Sequence, residues 1–129
     1  MVRQLISSNT PGEQAAKFSR AVRVGNLVFV SGTTAMDPAG HAQHGGDATA
    51  QARYILTKIE AVLGEAGASL ADVVRTRIFV RHLEDVDAVA RVHGLFFADV
   101  RPANTMLRGE PVDTDMLLEI EVDALVETD

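Results

Sequence analysis

The stretch from Met116 to Val126 constrains the fold more than any other part of the chain. Met116, Leu118, Ile120, Val122, Ala124 and Val126 alternate with Leu117, Glu119, Glu121, Asp123 and Leu125. A period of two is the signature of a strand, with one face apolar and the other carrying most of the charge. An apolar strand face needs a second layer to cover it. Two helical stretches are available. From about Asp47 to Ala66, Ala52, Ile55, Ile59, Val62 and Leu63 recur at three- and four-residue spacing, with Asp47 as cap and Gly67 as stop. From about Leu83 to Phe97, Val89, Val92 and Phe96 form a second stripe, and Glu84, Asp85 and Asp87 crowd the first turn, where the helix dipole favours negative charge.

The remaining segments read as strands and turns. Val22–Val24 and Leu27–Val30 flank Gly25-Asn26, a hairpin signal. Ser31-Gly32 is expected to end the second hairpin strand. Thr33–Met36 is expected to add a short third strand before the turn Asp37-Pro38-Ala39-Gly40. Val73–Val80 reads as a strand, and an extended segment runs from Arg101-Pro102 to Arg108. The predicted order is β-β-(β)-α-β-α-β-β. This is an α+β fold, a mixed sheet with one face covered by two helices. Phe79, Leu117 and Leu125 fall on the other face, which implies contact with another subunit.

The chain has 129 residues, and we read residues 1–129 as a single domain. It has no cysteine, so neither a disulfide framework nor a Cys-based metal site is expected, and a reducing compartment such as the cytoplasm fits. MVRQLISSNT lacks the apolar run of a signal peptide, and no stretch approaches the length of a membrane span. A formal net charge of -6 makes nucleic acid a poor partner.

Six segments, in order, resemble the RidA/YjgF family of reactive-intermediate deaminases, long labelled endoribonucleases. They are Phe18-Ser-Arg-Ala, Val28-Phe-Val-Ser-Gly, Met36-Asp-Pro-Ala-Gly, Val73-Val-Arg-Thr-Arg-Ile-Phe-Val, Arg101-Pro-Ala-Asn-Thr and Leu118-Glu-Ile-Glu-Val-Asp-Ala. The resemblance spans residues 16 to 126. It implies a chorismate-mutase-like fold, a homotrimer with small-molecule clefts between subunits, no cofactor, and hydrolysis of enamines and imines to keto acids and ammonia. In the deaminating members a Pro-Ala-Arg motif grips the substrate carboxylate. A Glu fifteen residues later positions water, and a Tyr and a Ser-Gly backbone step complete the wall.

Transferred to this chain, the resemblance makes Glu119 the water-positioning carboxylate, with Ser31 and Gly32 at the Ser-Gly step and Thr105 beside the motif. Phe18 stands in place of the Tyr and lacks its hydroxyl. Asn104 stands in place of the Arg, as in an Arg-lacking branch of the family. Asn offers two donors and an acceptor but no charge. A hydrogen bond to a charged group contributes about 1.5–3 kcal/mol, so losing it should weaken binding of an imino acid by about one to two orders of magnitude.

Arg75, Arg77, Arg23 and Arg108 are the candidates to replace that charge, and Arg77 is taken as a substrate-binding residue. The competing reading is a ladder of ion pairs between Arg75 and Arg77 and the acids Glu119, Glu121 and Asp123. Each site residue also has a plain structural reading. Glu119 would belong to a solvated acidic face, Asn104 would bond nearby backbone and Phe18 would be ordinary packing, while Ser31 and Gly32 would let the backbone approach either a ligand or a neighbouring subunit. His93, on the second helix stripe, reads as a satisfied core histidine. His41 and His44 make an H-x-x-H pair without further ligands, too few for a metal site.

Three functions compete. The first is a cofactor-free hydrolase of enamine- or imine-type metabolites, with its substrate range altered by Asn104. The second is a non-catalytic trimeric metabolite-binding module. The third, a ribonuclease, is opposed by the acidic charge and the lack of a basic aromatic groove.

Overall fold

The computed structural model describes residues 2–127. The elements are β1 (Arg3–Ile6), α1 (Pro11–Ala16), β2 (Ala21–Val24), β3 (Leu27–Thr33), α2 (Ala48–Glu65), β4 (Val73–Val80), α3 (Val86–Phe96), β5 (Ala103–Arg108) and β6 (Leu118–Leu125). The strands form one sheet in the order β1-β2-β3-β6-β4-β5. Among the described residues only β4 and β5 pair in parallel, joined by a crossover through α3. The sheet is therefore mixed, and the fold is α+β as expected.

β6 lies at the centre, between β3 and β4. Its alternation does what the sequence demands. Leu118, Ile120, Val122 and Ala124 are fully buried, while Glu119, Glu121 and Asp123 lie half-buried on the opposite face. α2 brings Ala52, Ile55, Leu56, Ile59 and Leu63 onto the apolar face, and α3 adds Val89 and Val92. Asp47 caps α2 by accepting from the Ala50 amide at 3.0 Å. Gly25 takes φ +60° in the β2–β3 hairpin, a conformation that favours glycine.

Several elements and boundaries differ from expectation. β1 was not foreseen: Arg-Gln-Leu-Ile is short and lacks alternation, and it is held as an edge strand by pairing with β2. α1 was also missed. At six residues it shows no periodicity, yet Thr10-Pro11-Gly12-Glu13 carries its start signal, a capping box with Pro in the first turn.

No third strand forms at Thr33–Met36. β3 instead continues through Gly32 to Thr33, and Met36 makes only an isolated bridge to Ala42. The pairing jumps from Val30↔Val122 to Thr33↔Ile120, so Ser31 and Gly32 together face Glu121 across the ladder. Ser31-Gly32 is thus a bulge rather than a strand end. Finally, β6 begins at Leu118 rather than Met116, and α3 is preceded by a 3-10 turn at Leu83–Asp85.

The sheet face away from the helices is uncovered within one chain. Leu5, Leu27, Phe29 and Leu125 are each exposed on it. Among the described residues, no helix is long and apolar enough to cross a membrane.

Candidate functional site

The bulge in β3 shapes the site. It brings Gly32 alongside Glu119 on the uncovered side of the sheet. A β-carbon on Gly32 would collide with the Glu119 carboxylate. A residue with a β-carbon at this position would push the Glu119 carboxylate out of the place it occupies. Glu119 and Gly32 line a cavity of about 710 Å³ together with Thr10, Phe18, Arg20 and Lys58. Asp113 and Val112, from the loop before β6, complete the wall.

Burial raises the Glu119 carboxyl above the ordinary carboxylate range. Arg20 pulls it back down and Glu121 pushes it further up. A carboxylate raised by desolvation is a better proton acceptor than a solvated one.

Arg20 is one of two cations in this wall, with Lys58, and sequence reasoning did not select it. It is only 5% exposed. Nη1 donates to the Gly32 carbonyl at 2.6 Å and to Thr33 Oγ1 at 3.3 Å. Nη2 lies 3.5 Å from Glu13 Oε2. The Phe18 ring lies 5.3 Å from the guanidinium carbon, close enough for a cation–π contact. Glu13 is fixed in turn by the capping box: Thr10 Oγ1 donates to Glu13 Oε2 at 2.7 Å and the Ser8 amide donates to Oε1 at 3.0 Å. Lys58, on α2, donates from Nζ to the Met36 carbonyl at 3.1 Å, and burial lowers its pKa.

The other nominated residues are placed as follows. Ser31 donates its hydroxyl to the Ser19 carbonyl at 2.7 Å, so it serves the backbone around the cavity. Asn104 lies on the edge strand β5 in register with Thr76, on the helix-covered side of the sheet. Its Nδ2 donates to Thr76 Oγ1 at 2.9 Å, and that hydroxyl also pairs with His93 Nε2 at 2.9 Å. Within one chain Asn104 therefore does not reach the Glu119 cavity. Thr105 is exposed on the same strand and accepts from Arg75 Nη1 at 3.3 Å.

Arg77 pairs across the strands with Glu121 at 3.3 Å and Asp123 at 3.1 Å. Arg23 donates to the Ala66 and Gly25 carbonyls, and Arg108 to the Arg81 carbonyl. None of the four arginines nominated to replace the motif cation lines the Glu119 cavity. His93 packs against Phe97, with ring centroids 4.7 Å apart, and burial lowers its pKa. Among the described residues, no three His, Cys, Asp or Glu side chains cluster so as to hold a metal ion.

A family model described as Endoribonuclease L-PSP matches residues 8–126. The chain belongs to that family. It is 34% identical over 120 residues to 3-aminoacrylate deaminase RutC of Acinetobacter baylyi, covering 93% of this chain and 95% of that protein. A member of the YjgF/YER057c/UK114 family from Mycobacterium tuberculosis superposes with a TM-score of 0.87 at 43% identity, covering 97% of this chain and 100% of that one. The YjgF gene product of E. coli superposes with a TM-score of 0.80 at 28% identity, covering 95% and 98% of the two chains. The family assignment agrees with the ordered motifs, four of which meet at this cavity, through Phe18 and Arg20, Gly32, Met36 and Gly40, and Glu119.

Proposed function

We propose that this protein is a cofactor-free hydrolase of enamine- and imine-type metabolites, working in the Glu119 cavity. The observation that carries this reading is a carboxylate raised by burial, set against a side-chain-free Gly32, in a cavity large enough for a small metabolite. The deaminase activity named for the RutC relative supports it. In the reaction, Glu119 would orient a water molecule and take its proton as the oxygen adds to the C=N carbon. The nitrogen would then be protonated, and the C–N bond would break to leave a carbonyl compound and ammonia.

The assembly we propose is a homotrimer in the cytoplasm, built through the uncovered sheet face, with one domain per chain. Its apolar patches of Leu5, Leu27, Phe29 and Leu125 favour such burial. In that assembly the edge strand β5 would bring Thr105 to a neighbour's cavity with Arg77 flanking it, and Asn104 would reach that cavity by giving up its bond to Thr76. The chain would then belong to an Arg-lacking branch, with a substrate range shifted away from those that rely on an arginine at this position.

The experiment is ammonia release from freshly generated aliphatic and basic imino acids, with Asn104→Arg in parallel. We expect slow turnover by the natural protein and a gain of about tenfold in kcat/KM for the variant. A second reading, a metabolite-binding module, is favoured by one observation: neither Phe18 nor Asn104 supplies the hydroxyl or charge of the family motif. No ammonia from either protein, with tight metabolite binding, would establish that reading.

A substrate carboxylate in this cavity would meet Lys58. Its ammonium has three donors, and Met36 takes one. Lys58→Gln should weaken binding of a 2-oxo acid product by about tenfold, read by calorimetry.

A further inference from the structure

Arg20 is held more firmly than an ordinary ion pair requires. Burying a guanidinium is costly unless its donors and charge are met. Here Glu13, the Gly32 carbonyl and Thr33 Oγ1 meet most of them, while the Nε–H has no hydrogen-bond partner among the described residues. With its side chain enclosed and most of its donors engaged, Arg20 is poorly placed to receive a substrate. Gly32 is the point where two charged groups meet. Its carbonyl accepts from Arg20, and the space beside its α-carbon is filled by the Glu119 carboxylate.

We propose that Arg20 is the positioning residue of this cavity: fixed by Glu13, the Gly32 carbonyl and Phe18, it holds the Glu119 carboxylate in place against the Gly32 bulge. The proposal rests on the reading of Glu119 as the water-orienting group. The arrangement also gives Phe18 a purpose that needs no hydroxyl, since its ring packs over the guanidinium. The other charged groups around Glu119 do not substitute for Arg20. Glu121 opposes the charge on Glu119 and is itself paired with Arg77, Asp113 is an acid, and Lys58, on α2, interacts with Arg20, Glu13 and Asp37 rather than with Glu119.

The test is a 13C NMR titration of side-chain-labelled glutamates in the full chain, with the Glu119 signal assigned by its loss in Glu119→Gln. Arg20→Gln should move the Glu119 midpoint upward by about half a pH unit or more, and Arg20→Lys by a smaller amount. The acid limb of kcat/KM should move with it. A midpoint unchanged in either variant, with the dispersed spectrum of a folded protein, would overturn the proposal. Should Arg20→Gln not fold, Arg20→Lys alone decides in the same way. The titration needs no turnover. A protein that releases no ammonia yet shows the ordering natural, Lys, Gln loses the hydrolase reading and keeps only the coupling of Arg20 to Glu119.

Discussion

Glu119→Gln should reduce ammonia release by about 100-fold or more, the loss that accompanies removal of a positioned general base. Glutamine keeps the size of the side chain and can still fill the space beside Gly32, but it cannot take a proton from water. The melting temperature should not fall with the activity. Burial holds the Glu119 carboxyl above its ordinary value, so the folded state disfavours its ionised form. Replacing it by a neutral group removes that penalty at pH 7. Thermal unfolding beside the activity assay separates the two effects. A variant that unfolds early, or one that turns over normally, would each contradict the role given to Glu119. The pH profile of the natural protein should carry the same mark, with activity lost on acidification above the range of a solvated glutamate.

Glu13→Gln should be the most damaging of these substitutions to stability. Burial alone would raise the Glu13 carboxyl, but hydrogen bonds from the hydroxyls and amides of Ser8 and Thr10 more than offset it and bring it from 4.5 down to about 2. A carboxyl depressed in the folded state contributes stability that is fully present above its unfolded value and is lost as pH falls through its folded value. The window therefore runs from about 4.5 down to about 2, and the contribution at pH 7 is about 3 kcal/mol. The substitution also takes the charged partner from buried Arg20. Urea unfolding at pH 7, 4.5 and 2.5 should show the gap between natural protein and variant closing as the pH falls. Parallel curves would contradict this account.

The long, strongly patterned elements were legible in the sequence. β6, α2 and α3 show their buried faces through periodicity alone, because each packs one face on a single core. What escaped the sequence depends on tertiary contact. β1 is a strand only because β2 pairs with it. The Ser31-Gly32 bulge looks in sequence like a strand end, since glycine marks either one, and only the register against β6 distinguishes them. Arg20 belongs to no periodic stripe, so nothing in the sequence marks it as buried. Its burial follows from α1, whose capping-box glutamate turns back onto it. The Thr10–Glu13 spacing was the available clue. The arginines on β4 drew attention by sharing a face with the acids of β6. For Arg77 that face produces cross-strand pairing, 39% exposed and so worth at most about 1 kcal/mol.

The most direct test of the central claim is a crystal structure with a 2-oxo acid bound, standing for the product of imine hydrolysis. The account predicts the ligand in the cavity, its carbonyl carbon facing Glu119 and its carboxylate toward Lys58. A ligand bound elsewhere on the chain, with the Glu119 carboxylate turned away from it, would contradict that claim.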